Sequence, residues 1–249
     1  MSLDLSEARA AAEAVAREWG VTLGEPFALG RYSFVAPAGD ELVLKAPWAD
    51  DDESLHEAEA LALWDGDGAV RLLRYDRRRR VLLEERALPG SDISDLGDDE
   101  AIEIALVLGA KLWRPAGAPF RRVRDQLERW LAADVSPLTP LARELLATLE
   151  PRDEVLVHGD FHHQNVLRDA GGFVAIDPKP YLAEREYDVY PWLHNPLPYR
   201  MTKERTERRI ERFVAGGLDD YRIRAWAIIR GAYLTDDPDE QAILRRLVD

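Results

Sequence analysis

The densest run of chemistry-bearing side chains is Val155-Leu-Val-His158-Gly-Asp160-Phe-His162-His163-Gln-Asn165-Val-Leu, followed by Phe173-Val-Ala-Ile-Asp177-Pro178. An apolar run delivers the chain to His158-Gly159-Asp160. Asn165 stands five residues beyond Asp160, and a second apolar run ends on Asp177. The pattern is strand, loop, strand, with three oxygen-bearing side chains at the strand ends. Carboxylate and carboxamide oxygens are the hard donors that Mg2+ takes alongside phosphate oxygens and water. A carboxylate left free of metal can accept the proton of an attacking hydroxyl. A rival chemistry starts from the same stretch. His158, Asp160 and His162 could hold zinc and activate water, the arrangement of a metal-dependent hydrolase. Against it, His162 and His163 are adjacent and so point apart, while His56 and His194 stand alone and complete no ligand set.

The elements that must position these residues follow from spacing. Leu5, Ala8, Ala12, Val15 and Trp19 recur at helical intervals and Gly20 supplies a stop. Phe34-Val35 and Leu42–Lys45, separated by Pro37-Ala38-Gly39-Asp40, predict a hairpin. A helix over Leu55–Trp64 ends at Asp65-Gly66-Asp67-Gly68, and strands are expected over 69–75 and 81–85. The basic tract Arg77–Arg80 falls between those strands, where a solvated turn is expected rather than a nucleic-acid patch. After Pro89-Gly90 the pattern turns helical, with short β-like runs at 154–157, 166–167 and 173–176. From Arg200 it is helical again, with breaks near Gly216-Gly217 and Asp236-Asp237-Pro238. A sheet-rich beginning followed by a helical remainder predicts an α+β fold with two lobes.

The Asp160-x4-Asn165 spacing is that of the protein-kinase catalytic loop, and Asp177 takes the place of the metal-binding Asp of Asp-Phe-Gly. His158-Gly-Asp160-x-His162-x-x-Asn165 followed by Ile176-Asp177 resembles the aminoglycoside phosphotransferases, which share the protein-kinase-like fold. Three further stretches resemble the branch that holds streptomycin 6-phosphotransferases and hydroxyurea phosphotransferases. They are Ile176–Tyr181 with Tyr187-Asp188, Glu57–Leu61 through Trp64-Asp-Gly, and Leu83–Gly90. The likeness runs from Gly30 to Trp226.

The resemblance implies a small sheet-rich N-lobe over residues 1–86 and a larger, mainly helical C-lobe over 87–249 that carries the catalytic loop and acceptor site. It implies transfer of the γ-phosphoryl group of ATP, with Mg2+, to a hydroxyl of an aminoglycoside-like antibiotic or of hydroxyurea. Asp160 would be the catalytic base, and Asn165 and Asp177 the Mg2+ ligands. Lys45 would touch the ATP phosphates and pair with Glu57. Glu59 is the alternative, because residues two apart lie on different helix faces. Gly30 and Ser33 would belong to a glycine-poor loop covering the phosphates. Glu85, Arg86 and Ala87, in the hinge Glu84–Ala87, would meet adenine. His162 and Asp188 would support the catalytic loop, while Gln164 and Lys179 acquire no role. A cationic acceptor would need carboxylates, for which Glu184, Glu186, Asp219 and Asp220 are the candidates. A non-catalytic nucleotide-binding module is the remaining alternative, and the intact set Lys45, Asp160, Asn165 and Asp177 argues against it.

Composition narrows the partners. The 249 residues carry 47 acidic against 33 basic side chains, a formal net charge of −14. Both expected lobes are net acidic, which disfavours phosphate-backbone binding, so no nucleic-acid partner is expected. The absence of cysteine excludes disulfides, iron–sulfur clusters and thiol catalysis, and accords with a cytoplasmic setting. No apolar run approaches the ~20 residues of a membrane span. The first residues lack the basic-then-apolar order of a secretory signal. A small-molecule acceptor is expected, without membrane or obligatory protein partner.

Overall fold

The computed structural model describes residues 4–27, 32–133, 136–196 and 200–248. Its chain divides into two units, one comprising Met1–Ser91 with Leu167–Lys179, the other Asp92–Val166 with Pro180–Asp249.

The first unit is built on an antiparallel sheet in the order β1-β2-β4-β3, from β1 (Ser33–Pro37), β2 (Leu42–Pro47), β3 (Leu72–Asp76) and β4 (Val81–Glu85). Helix α1 (Ser6–Trp19) lays Ala8, Ala12, Val15 and Ala16 onto one sheet face, against Phe34, Ala36, Leu44, Val81 and Leu83. Small side chains let the helix approach closely. Gly20, at φ 70°, ends it by returning its N–H to the last turn, a conformation that costs glycine little. Alternation along a strand sends Lys45 to the face opposite Leu44. The register pairs Val43 with Glu84 and Leu44 with Leu83, so Glu84 shares the face of Lys45. Helix α2 (Glu57–Trp64) begins two residues later than its apolar pattern suggests, because Glu53–His56 form a turn. The basic tract is consumed locally: Arg79 binds Asp76 and Glu18, and Arg77 binds Glu59.

The hairpin of β6 (Val166–Asp169) and β7 (Gly172–Ala175) departs from the simple partition at residue 86. Ala175 bridges Ala69, Gly90 N donates to Arg168 O at 3.0 Å, and Arg168 N donates to Ser91 O at 2.9 Å. Backbone pairing thus places Leu167–Lys179 in the first unit, and the second unit is not one continuous stretch.

The second unit contains α3 (Asp98–Leu112), α4 (Val123–Ala133), α5 (Thr139–Thr148), α6 (Tyr190–His194), α7 (Lys203–Ala215), α8 (Asp220–Leu234) and α9 (Pro238–Arg245). Helix α8 is buried on all sides, through Ile223, Trp226, Ile228, Ile229 and Ala232, as a central helix should be. Two short strands, β5 (Val155–Val157) and β8 (Tyr181–Ala183), pair antiparallel with Val157 opposite Tyr181, and so carry the chain to His158. Among the described residues, no helix is long and apolar enough to cross a membrane.

Candidate active site

In the first unit, Lys45 is the hub. Its ammonium donates to Glu57 Oε1 at 2.5 Å and to Asp177 Oδ1. Lys45 and Glu57 are buried, whereas the Asp177 side chain is 44% exposed. Glu57 opens α2, where a carboxylate also complements the helix dipole. Glu59 faces elsewhere and meets Arg77 at 2.9 Å. Glu84 is buried on the same sheet face as Lys45 and acts on it electrostatically. One cation therefore answers three carboxylates. Burial, with mutual repulsion added, pushes Glu57 up to about 8 and Glu84 up to about 7. Lys45 is held firmly charged: the attraction of Asp177, Glu57 and Glu84 outweighs a large desolvation penalty. Glu57 Oε2 and Glu84 Oε1 are buried without a hydrogen-bond partner. Asp177 sits at φ 57°, a strained setting that an Asp tolerates better than most residues and that recurs at functional positions.

In the second unit, the segment after β5 is tied down through its backbone. Asp188 accepts from His158 N at 2.9 Å, Gly159 N at 2.8 Å and Trp113 Nε1 at 2.9 Å. Arg230 of α8 donates to Gly159 O at 2.8 Å and to Tyr187 O at 3.0 Å, and lies 4.1 Å above the Tyr187 ring. The Asp160 carboxylate emerges from this anchored loop with its side chain 29% exposed. Its Oδ2 lies 3.3 Å from Asn165 Nδ2, which also donates to Asp160 O at 2.9 Å. Its Oδ1 lies 3.5 Å from His162 Nε2. His162 caps the short 3-10 turn His163–Asn165 by accepting from Gln164 N at 3.2 Å. His163 is buried against Trp192, and burial drives it down to about 3, so it is neutral.

The site residues differ in where they fall. Lys45, Glu57 and Asp177 meet directly in the first unit, and Asp160 meets Asn165 in the second. Gly30 lies outside the described residues; Ser33 opens β1 and is buried. Of the hinge residues, Glu85 N is taken by Arg71 O and Arg86 N by Glu41 O, so neither N–H is available to a base. Ala87, which follows them, is buried. The four acidic candidates for a cationic acceptor are otherwise engaged. Glu184 is buried among Arg124, Arg222 and Trp226, Glu186 accepts from Asp219 N, Asp219 caps α8 and meets Arg152, and Asp220 pairs with Arg224. Glu84 was missed as a buried charge; the strand alternation around Leu83 was the signal that could have found it.

Asn165, with its amide nitrogen spent on Asp160, presents an amide oxygen in the second unit, and Asp177 presents a part-exposed carboxylate in the first; each is an oxygen donor of the type that hard divalent cations take. No cluster of three or more His, Cys, Asp or Glu suited to a metal occurs among the described residues, and His158 stacks on Phe161. A zinc hydrolase has no support in this arrangement.

The family model described as "Aminoglycoside/hydroxyurea antibiotic resistance kinase" matches residues 32–235. The chain belongs to this family. Among curated proteins, the chain is similar to a streptomycin 3''-kinase of Klebsiella pneumoniae, 34% identical over 75% of this chain and 75% of its own length. A hydroxyurea phosphotransferase of Kitasatospora aureofaciens is 32% identical over 85% of this chain and 67% of its own. Among solved structures, a choline/ethanolamine kinase family protein from Mesorhizobium loti is similar at TM-score 0.66 and 16% identity, covering 98% of this chain and 94% of that one. A thermostable mutant of the aminoglycoside phosphotransferase APH(4)-Ia follows at TM-score 0.62 and 17% identity, covering 95% and 97%. These structural likenesses establish the protein-kinase-like fold. The protein is an ATP-dependent phosphotransferase of the antibiotic resistance kinases, and neither the hydrolase nor the non-catalytic reading stands.

Proposed function

We propose that the acceptor is a hydroxyl of a streptomycin-like aminocyclitol antibiotic and that Asp160 is the base. The observation that carries the chemistry is the Asp160 carboxylate, part-exposed to solvent yet oriented by Asn165 and His162 on a loop held by Asp188 and Arg230. The bond between the γ-phosphorus and the β–γ bridging oxygen breaks, a bond from the acceptor oxygen to that phosphorus forms, and the acceptor proton passes to Asp160. ADP and a phosphate monoester leave. Phosphoryl transfer asks mainly for alignment and for charge opposite the transferring group. Lys45, clamped between Glu57 and Asp177, is preorganised to hold phosphate oxygens. Mg2+, when bound, supplies charge that neutralises those oxygens, and Asn165 and Asp177 are the residues that would hold it.

The choice of acceptor is supported by the streptomycin kinases among the relatives, including two 6-kinases of Streptomyces species at 31% and 33% identity. Hydroxyurea is the second reading, favoured by the longer match to the hydroxyurea phosphotransferase, over 241 residues. The test is acceptor-dependent ADP release with Mg-ATP, using streptomycin, other aminoglycosides and hydroxyurea. Streptomycin is expected to give the largest kcat/KM. Turnover of hydroxyurea alone moves the assignment to the second reading, and no turnover of any of them rejects both.

A further inference from the structure

Lys179 has no part in the chemistry so far. It stands two residues beyond Asp177, in the first unit together with Lys45, Glu53 and Tyr32. Its ammonium lies 2.9 Å from Glu53 Oε2 and 5.7 Å from the centre of the Tyr32 ring. The Lys179 side chain is a quarter exposed and that of Glu53 nearly half exposed.

Charge accounting gives this pair a meaning. Lys45 is buried and already answers Glu57, Glu84 and Asp177, so only part of its charge is left for phosphate oxygens. A transferring γ-phosphoryl group spreads negative charge over three equatorial oxygens and needs cations beyond one so occupied. Lys179 is the neighbouring cation whose partner can be exchanged. An ion pair with a solvated carboxylate is weak, because water screens it and both side chains lose freedom. A phosphate oxygen is the stronger partner for an ammonium. Tyr32 precedes Ser33, in the segment expected to cover the phosphates, and its ring keeps the ammonium beside that segment.

We propose that Lys179 is a γ-phosphate ligand that exchanges Glu53 for a non-bridging γ-oxygen when ATP binds. The proposal rests on the phosphotransfer reading above, and it assigns this one residue the discrimination of triphosphate from diphosphate. Calorimetry in the presence of Mg2+ tests it without any acceptor, using AMP-PNP and ADP as probes. Wild-type protein is expected to bind AMP-PNP more tightly than ADP. Lys179→Met should weaken AMP-PNP about tenfold or more while leaving ADP affinity within about threefold, since a charge-assisted hydrogen bond accounts for at least that factor. Lys179→Arg should recover part of the preference. Glu53→Gln removes the competitor and should leave AMP-PNP binding equal or tighter. Equal weakening of both nucleotides in Lys179→Met, or a Glu53→Gln variant that loses AMP-PNP affinity as Lys179→Met does, would overturn the proposal and make the pair a structural strut. Failure of the wild type to bind either nucleotide would overturn the phosphotransfer reading itself. It is told apart from failure of the Lys179 role by the ADP measurement.

Discussion

The two oxygens of Asp160 keep different company, Oδ2 facing the Asn165 amide and Oδ1 facing His162, which fixes the plane of the carboxylate before any substrate arrives. Asp160→Asn keeps that shape and removes the proton acceptor. Turnover should fall by about 10²–10⁴-fold, while Mg-ATP affinity stays close to wild type; steady-state kinetics and calorimetry together check both halves. The surplus of carboxylates around Lys45 has its own consequence. Glu57 and Glu84 are raised above their ordinary values by burial, so between about pH 5 and pH 8 the folded chain binds more protons than the unfolded chain. Stability from this cluster is therefore present at the acid end of that window and declines as pH rises through it. Glu84→Gln removes one of the charges, so its melting temperature relative to wild type should climb steadily from pH 5 to pH 8, and a constant difference would refute the cluster's role. Residue type and spacing alone singled out Asp160, Asn165 and Asp177, because metal and proton-transfer chemistry confines those types to a recognisable spacing, whereas Lys45 and Glu57 entered through the family resemblance. Both led past Glu84, because a glutamate at a strand end is ordinarily solvated, and only the pairing with Val43 reveals which face it occupies.

At the scale of elements, the loop bearing Asp160 is held by groups far along the chain, notably Asp188 and Arg230, and further charges brace the helices around it. Asp98 at the start of α3 receives Arg205, Arg208 and Arg209 of α7, at 2.7–3.0 Å. Arg209 is buried and also donates to the carbonyl oxygens of Trp192 and Asn195, at the end of α6. Against the cost of burial, the three arginines hold the Asp98 carboxyl well below the usual carboxylate range. Its folded value lies below its unfolded one, so the stability it confers is present above about pH 4 and is lost as pH falls below that. Asp98→Asn leaves Arg209 buried without its counter-charge and should cost about 3–5 kcal/mol, read from urea unfolding at pH 7, with the difference from wild type shrinking in acid. Elements of this kind divide by how visible they are in sequence. Helix α1 and the first hairpin are written in apolar periodicity and in Gly20 and Gly39. Strand β8 and helix α6, at three and five residues, are too short for any period to register. They exist because β5 pairs with one and Arg209 binds the end of the other, interactions that no local window contains. The hairpin β6–β7 was legible as strands but not as part of the first unit, since its pairing to Ala69 and Ser91 joins residues far apart along the chain.

For the whole molecule, the net charge of −14 is the property that bears most directly on the acceptor. The carboxylates that sequence offered for a polycation are engaged: Glu184 with Arg124, Arg222 and Trp226, Glu186 with Asp219 N, and Asp219 and Asp220 with arginines. If the acceptor is the streptomycin-like cation proposed above, it is drawn first by the summed field of the protein, a long-range attraction that raises encounter rates and is screened by salt. The Debye length contracts from ~30 Å at 0.01 M to ~3 Å at 1 M ionic strength, so a field-driven encounter loses most of its advantage across that range. Hydroxyurea is neutral and carries no such dependence. At saturating Mg-ATP, kcat/KM for the aminocyclitol should therefore fall steeply with salt while kcat changes little, because steering acts on association and not on the chemical step. The nucleotide, itself an anion meeting a negative protein, should show the opposite trend in its own association rate, which serves as an internal control for changes in protein stability. An active cationic acceptor whose kcat/KM stays flat across the series would mean that recognition is carried by close contacts alone, and that the acidity of the chain serves solubility rather than capture.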